Sequence, residues 1–181
     1  ESSAASDVYK RQVVVTIAQM DFGETNNFIL IVAGLAIGGF IGGGIGRGIA
    51  EELASQGATK ACASRTTEQL EEVAKSIRDS GGKAASFPLD ISEMASLDET
   101  LARIDSEFGR LDILVNNAGM QHRAPLEDFP ADKFELLMKT NVSSVFNVGQ
   151  AVAKRMIKKG QGKIINIASV QTALARPGIA P

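Results

Sequence analysis

The regular alternation of helix and strand patterns after Arg47 is the feature that most restricts how this chain can fold. Ser96 and Glu99 have the spacing of a capping box, and Leu111–Val115 is a continuous apolar run of the kind found in buried parallel strands. Helices are predicted over Arg47–Gly57, Thr66–Ser80, Ser96–Phe108 and Ala131–Lys159, and strands over Thr59–Ala63, Ala84–Pro88, Leu111–Val115 and Lys163–Ala168. Such alternation implies an α/β fold, in which a doubly wound parallel sheet is covered by helices on both faces and binds ligands at the carboxyl ends of its strands.

A different kind of sequence precedes this pattern. Within Val13–Gly46 the only charged residues are Asp21 and Glu24, and eight of the 18 glycines of the chain lie in Gly34–Gly48. The stretch Phe28–Ile45 is uncharged and has about the length of a membrane-spanning helix. The composition therefore changes within the segment that leads into the first predicted helix.

Two interpretations of Phe28–Ile45 are open. Glycine recurs at every fourth position from Gly34 to Gly46, a pattern that lets membrane helices approach closely, and Gln19–Gly42 resembles a membrane segment of the proton-pumping transhydrogenase beta subunit. In the other interpretation, Phe28–Ala33 is the buried first strand of the sheet and is followed by a long glycine loop. Because a strand needs only about five or six residues, the length of the run leads us to expect the helix.

The composition argues against several kinds of partner and site. Nineteen basic and 21 acidic side chains give a formal charge of −2, and no stripe of lysine or arginine stands out, so nucleic acid is not an expected partner. The single Cys62 and the single His122 cannot form an internal disulfide or build a zinc site, so no metal is expected. A lone thiol fits a reducing cytoplasm.

Short motifs stand where a nucleotide would meet such a sheet. Gly44, Ile45 and Gly46 open the first predicted helix, where glycines let the backbone approach a pyrophosphate that the helix N-terminus stabilises. Ser64 and Arg65 follow the next strand, where an arginine pairs with a ribose 2′-phosphate and an acidic residue would bind the free hydroxyl. This pattern favours NADP, although NAD stays possible and an exposed arginine that begins a helix is the alternative.

Three further motifs make the pattern specific. The tetrad Asn116-Asn117-Ala118-Gly119 follows the apolar strand Leu111–Val115, and Asn141 lies inside the long predicted helix, where asparagine is unfavourable. The run Lys163–Ser169 ends a strand in a serine. In this order and spacing the chain resembles the short-chain dehydrogenase/reductase family, over about Gly44 to Pro181.

The resemblance implies a Rossmann-type sheet and assigns roles to particular residues. It implies that Asp90 and Ile91 contact adenine and that Asn117, Ala118 and Gly119 close over the adenine-ribose side of the cofactor. It also implies that Asn141 holds a water in a proton relay and that the catalytic Ser169 hydrogen-bonds the substrate oxygen. For Asp90 alone, a turn or cap residue is the more common interpretation.

The chain departs from the family pattern at two places. Gly39 and Phe40 stand where the family motif Thr-Gly-x-x-x-Gly-x-Gly has threonine and its first glycine. The only tyrosine is Tyr9, and by the family's spacing the catalytic tyrosine would come directly after Pro181. In the family a lysine four residues after that tyrosine completes the acid–base pair, and no tyrosine of this chain stands four residues ahead of a lysine. We therefore expect a fragment that is cut at the C-terminal side of the fold and is inactive as written.

Within the family, the stretches Gln121–Leu126 and Val170–Pro181 look most like gluconate 5-dehydrogenases. This implies reversible oxidation of gluconate, or of a related sugar acid or polyol, with NADP, and His122, Arg123 and Arg176 lie on loops that could face an anionic substrate. Intact family members are homo-oligomers. A non-catalytic NADP-binding module and a membrane-tethered fragment remain as alternatives.

These expectations divide the chain into three parts. Residues 1–12 form an artefactual or disordered leader, residues 13–43 form the apolar glycine-rich segment, and residues 44–181 form a partial dinucleotide-binding domain.

Overall fold

The computed structural model describes residues 29–33 and 42–168 of the chain. Expectations that concern other residues therefore lie outside the described part. They are the leader over residues 1–12, most of the segment over residues 13–43 with Gly39 and Phe40, the catalytic Ser169, and the stretch Val170–Pro181 with Arg176.

Five strands alternate with helices along the described residues. The strands are β1 Ile29–Ala33, β2 Thr59–Ser64, β3 Ala84–Pro88, β4 Ile113–Asn116 and β5 Lys163–Asn166. The α-helices are α1 Gly42–Ser55, α2 Thr67–Asp79, α3 Met94–Phe108, α4 Ala131–Met138 and α5 Ser144–Lys159, with a 3₁₀ turn at Leu126–Asp128 and a π-helical segment at Lys139–Ser143. The predicted elements after Arg47 are thus present, with ends shifted by a few residues.

All five strands are parallel and lie in the order β3-β2-β1-β4-β5. The chain builds outward from β1 to β3 and then crosses back to place β4 on the other side of β1. This reversal of direction puts a topological switch point between β1 and β4, where sheets of this kind bind their ligands. The predicted doubly wound, Rossmann-type fold is confirmed.

The expectation of a single helix over Phe28–Ile45 is wrong. Ile29–Ala33 is the central strand of the sheet and pairs with β2 on one side and β4 on the other. Hydrogen bonding to two neighbouring strands satisfies the backbone of this short apolar run, so its alternative interpretation as the first strand is confirmed. Among the described residues, no helix combines the length and the apolar character needed to cross a membrane.

Two helix starts also differ from expectation. Helix α1 begins at Gly42 rather than near Arg47, so that Gly44, Ile45 and Gly46 lie in its first turns. Helix α3 begins at Met94, and no side chain caps its N-terminus. The capping box predicted at Ser96 is wrong because the Ser96 hydroxyl lies inside the helix and donates to the carbonyl of Glu93 at 2.9 Å.

The predicted long helix Ala131–Lys159 is present but changes its winding in the middle. Between α4 and α5 the residues Lys139–Ser143 adopt π-helical geometry, which places Asn141 on a widened turn. The hydroxyl of Ser144 donates to the carbonyl of Thr140 within this turn. Gly160, with φ +76°, ends the helix in the left-handed conformation that glycine adopts without strain.

Helices cover the sheet on both faces and form two apolar clusters. One cluster joins α1 and α2 to the sheet through residues such as Ile49, Leu53, Leu70 and Ile77. The other joins α3 and α5 to the opposite face. The edge strand β5 stays half-open, with Ile164 41% exposed. The side chains of β2 are therefore fully enclosed, whereas those of the edge strand β5 are largely exposed.

Candidate functional site

The predicted site residues meet at one edge of the sheet. Ser64 ends β2, Asp90 follows β3, Asn116 ends β4 and Asn166 ends β5. Because the strands are parallel and run in register, their carboxyl ends lie side by side at this edge. The structure thus brings the described motifs together. Ser169, which follows β5 in the sequence, lies outside the described part.

The glycine motif lies in the first turns of α1. Ile45 and Gly46 are buried, and Ile45 packs in the core cluster with α2, so its side chain serves the core and not a ligand. The first amide groups of any helix have no partner inside the helix and favour an anion. Any contact of this motif with a pyrophosphate would therefore have to come from its backbone, and because the helix begins at Gly42 the amides of Gly44 and Ile45 are among its first four.

Ser64 carries an unsatisfied hydroxyl at the end of β2. Its residue is only 3% exposed, and its Oγ has no hydrogen-bond partner within the part of the chain that the structure describes. A buried hydroxyl without a partner is costly and uncommon in native proteins. Such an atom, at the edge where the ligand is expected, fits a polar group of a bound molecule.

Arg65, next to Ser64, is exposed at the same edge. Within the described residues it forms no ion pair and no side-chain hydrogen bond. The other arginines near the sheet are used internally, as when Arg47 binds Glu51 at 2.8 Å and Glu72 at 2.7 Å. Arg65 is therefore available to pair with a bound anion.

Asp90 forms a tight turn after β3. Its Oδ1 accepts hydrogen bonds from the backbone amide of Ser92 at 2.9 Å and from the Ser92 hydroxyl at 2.7 Å. Burial acts to raise the pKa of Asp90, but the two Ser92 hydrogen bonds and the charges of Arg65 and Lys139 together hold it below its ordinary value. The carboxylate is ionised and shapes the turn, while the neighbouring Ile91 is buried in the core.

Asn141 clamps the loop that follows β4. Its Oδ1 accepts from the amide of Met120, and its Nδ2 donates to the carbonyl of the same residue, both at 2.9 Å. The side-chain amide thus bonds both the N–H and the C=O of one residue, as a residue of a neighbouring β-strand does. The loop Asn117–Gly119 is thereby held next to the π-helical turn, and a Cβ added at Gly119 would lie 3.6 Å from Oδ1 of Asn141.

Sequence reasoning missed a second amide contact at this edge. Asn116 is buried, and its Nδ2 donates to Oδ1 of Asn166 at 2.9 Å across the β4–β5 pairing. The available signal was the polar residue inside the otherwise apolar run Ile164–Ile167, at the position that pairs with the first asparagine of the tetrad. The bond ties the end of β5 to the end of β4.

The loop after the tetrad carries the residues considered for substrate binding. His122 is half-buried and packs edge-on against Phe129, with ring centroids 5.4 Å apart, whereas Arg123 is exposed. In the described part of the chain, no cluster of His, Cys, Asp and Glu could hold a metal ion. Among its described residues the site therefore offers two exposed cations, Arg65 and Arg123, the buried Ser64 hydroxyl and several side-chain amide groups.

Comparisons with known proteins agree with this geometry. The family model described as short chain dehydrogenase matches residues 35–181. The chain is 46% identical over 125 residues to the gluconate 5-dehydrogenase of Gluconobacter oxydans, an alignment that covers 69% of this chain and 49% of that protein. It thus spans about half the length of this curated relative.

Solved structures show the same relationship. A gluconate 5-dehydrogenase from Burkholderia cenocepacia in complex with NADP and tartrate is 40% identical, with a TM-score of 0.73, and the match covers 84% of this chain and 58% of that one. An NAD⁺-bound xylitol dehydrogenase is 32% identical, with a TM-score of 0.78, over 84% of this chain and 56% of that one. By sequence model, fold and site geometry, the chain belongs to the short-chain dehydrogenase family of NAD(P)-dependent oxidoreductases.

Proposed function

We propose that this chain is the N-terminal part of an NADP-dependent oxidoreductase that interconverts a sugar acid or polyol and its ketone, with gluconate and 5-ketogluconate as the first pair to test. The observation that supports the cofactor assignment is that two adjacent residues at the end of β2, Ser64 with its hydroxyl and Arg65 with its guanidinium, have no side-chain partner among the described residues. The substrate class follows from the relatives, which include gluconate 5-dehydrogenases. We extend the same proposal to a small-molecule substrate, no nucleic-acid partner and a cytoplasmic location.

The cofactor would lie across the carboxyl ends of β1, β2 and β4. The backbone of Gly44, Ile45 and Gly46 would meet the pyrophosphate at the start of α1. Arg65 would bind the ribose 2′-phosphate through a charge-assisted hydrogen bond, for which a guanidinium is well suited. The bound nicotinamide supplies the hydride chemistry, and the residues of the chain supply its position.

The remaining site residues would close the pocket and handle the proton. Asp90 with Ile91 would border the adenine, and Asn117, Ala118 and Gly119 would cover the adenine-ribose side. Ser169 would hydrogen-bond the substrate oxygen. The Asn141 amide is bound to Met120 on both of its groups, so it would act in a proton relay through its remaining lone pair or its second amide hydrogen.

We propose further that the chain as given does not turn over. Its only tyrosine is Tyr9 in the leader, so the family's tyrosine and lysine pair is not supplied. General acid–base catalysis of this kind contributes about 10² to 10⁴ in rate. With gluconate and NADP we therefore expect no reduction of NADP above that of a Ser169→Ala variant, and steady turnover above that background would contradict the proposal.

Cofactor choice gives the most direct experiment. NADP and NAD are titrated calorimetrically against the wild-type chain, Arg65→Ala, and Lys83→Ala, an exposed lysine at the opposite edge of the sheet that controls for loss of one positive charge. We expect Arg65→Ala to weaken NADP binding by about tenfold to a hundredfold, the value of a charged hydrogen bond, and to leave NAD almost unchanged. Equal affinity of the wild type for both nucleotides would show that Arg65 does not bind the phosphate.

The face formed by α5 and β5 supports the homo-oligomer expected of intact family members. Phe146 on α5, Ile164 on β5 and Val142 on the adjoining π-helical turn are large and exposed, and Phe146 is 66% exposed. An added Cβ at Gly149 would meet no atom within 4 Å, so another element can approach the helix closely at that point. We propose that in the intact protein this face is covered by the rest of the fold or by a second copy.

A further inference from the structure

Lys60 lies in the interior of the sheet, where lysine is rarely found. It is the second residue of β2, pairs in register with Leu30 and Ala84, and is fully buried. Its Nζ donates one hydrogen bond, to the carbonyl of Ala58 at 3.3 Å. A buried lysine is normally paired with an acid, because an unpaired ammonium in the core loses its hydration without compensation.

No acid compensates Lys60 among the described residues. Side chains alternate along a strand, so Lys60 shares the face of Ala58 and Cys62, which packs under α1 and α2. Neither β1 nor β3 contains an ionisable residue. The ionisable residues of the two covering helices are Arg47, Glu51 and Glu52 on α1, and Glu68, Glu71, Glu72, Lys75, Arg78 and Asp79 on α2.

The acids of those helices are bound elsewhere or lie outside the reach of the amine. Glu51 accepts from Arg47 and Ser76, and Glu71 accepts from Arg78 and Ser86. Among the described residues, the one ionisable group that acts on the Lys60 amine is the thiol of Cys62, and burial raises the pKa of that thiol to about 12. The thiol is therefore neutral near pH 7 and supplies no counter-charge.

This environment favours the neutral form of the amine in the folded chain above about pH 7. Desolvation by burial lowers the pKa of Lys60 from 10.5 to about 7. In the unfolded chain the same amine is hydrated and keeps a proton up to about pH 10.4. The folded and unfolded states thus bind different numbers of protons between about pH 7 and 10.5.

We propose that Lys60 is a pH-sensitive element, whose protonation loosens β2 and thereby the nucleotide-binding end of that strand. The geometry connects the two because β2 runs from Lys60 to Ser64 without interruption, with Arg65 directly after it. Opening of β2 around a buried ammonium would weaken the pairings that Lys60 makes with Leu30 and Ala84 and, through the continuous strand, those that hold Ser64 in register. The link to nucleotide rests on the proposed function, whereas the effect on β2 does not.

The direction of the effect follows from proton binding. Between about pH 7 and 10.5 the unfolded chain holds a proton at Lys60 that the folded chain lacks, so stability rises with pH in this window. Below about pH 7 both states hold the proton, and the contribution of this residue no longer changes. From about pH 9 to about pH 7 the unfolding constant of the wild type should rise about fiftyfold because of Lys60.

The experiment compares the full chain with Lys60→Met, which keeps the volume and removes the proton, and with Lys83→Met as the exposed-lysine control. Urea unfolding is measured at about pH 7, 8 and 9. We expect Lys60→Met to be more stable than the wild type, with the difference in unfolding constant growing about fiftyfold as the pH falls. Parallel pH dependence of the wild type, Lys60→Met and Lys83→Met would overturn the proposal.

A second measurement separates this inference from the proposed function. The NADP dissociation constant is determined at about pH 6 and 8 for the wild type and Lys60→Met. Protonation of the nucleotide phosphate affects binding to both proteins equally, so it cancels in the comparison. A severalfold greater loss of affinity at the lower pH in the wild type supports the coupling, and equal losses overturn it. If neither protein binds NADP, the proposed function fails, and the unfolding data decide alone whether Lys60 responds to pH.

Discussion

Replacing Asn141 tests how the loop after β4 is held. The two hydrogen bonds between the Asn141 amide and the backbone of Met120, both at 2.9 Å, are the direct link between the π-helical turn and this loop. Each is expected to contribute about 0.5–1.5 kcal/mol to the free energy of unfolding. Alanine gains about 0.6 kcal/mol over asparagine in helix propensity, so Asn141→Ala should lower the stability by about 1 kcal/mol net.

Asn141→Asp separates the two halves of the clamp. An aspartate keeps an oxygen that accepts from the Met120 amide. In place of the Nδ2 group that donates to the Met120 carbonyl, it has a second carboxylate oxygen, which the carbonyl oxygen repels. We expect this variant to be less stable than Asn141→Ala near pH 7. A carboxyl group facing a carbonyl has its pKa raised in the folded state, so the lost stability should return as the pH falls through that pKa and the protonated acid donates again.

The matched control is Asn147→Ala, the same change in α5 at a half-buried position whose side chain has no hydrogen bond to any described residue. Urea unfolding at constant m-value gives the stability of each variant, and the NADP dissociation constant reports on the loop. Asn147→Ala should be neutral or slightly stabilising. If Asn141→Ala and Asn147→Ala change stability equally, the clamp contributes nothing and the argument fails.

Three other predictions concern the core, a turn and the open edge. Ile104→Ala, at a fully buried position between α3 and the sheet, should lower the free energy of unfolding in urea by about 2–5 kcal/mol. Ile157→Ala, at a position that is 77% exposed, should change it by no more than about 0.5 kcal/mol. Similar losses at both positions would contradict the core assignment. Gly109→Ala should cost about 1 kcal/mol in thermal unfolding, because φ is +73° and no atom crowds the added Cβ, and an unchanged midpoint would show that the strain is absent. The purified chain should associate in light scattering through its apolar β5 edge, and Phe146→Lys with Ile164→Lys should reduce this; a clean wild-type monomer would refute it.

The local pattern of the sequence was sufficient to predict the elements after Arg47 and the order in which they occur. The signals are short-range: helical spacing, the apolar run at Leu111–Val115 and the glycines that end helices. They predict the elements correctly because each element buries the face on which its own apolar residues lie. The motifs at strand ends were placed together correctly for the same reason, since a parallel sheet brings all its carboxyl ends to one edge. These signals do not depend on which strand lies next to which.

Only the tertiary structure decided the features that depend on partners distant in sequence. Ile29–Ala33 became the central strand because β2 and β4 bond it from both sides, although by composition it continued into an apolar run of membrane length. Contacts of the same kind bind the Asn141 amide to Met120, and burial at the end of β2 leaves the Ser64 hydroxyl without a partner among the described residues. Burial of Lys60 could not be predicted from the sequence either, because the hydration of a lysine side chain depends on the strands and helices that pack around it.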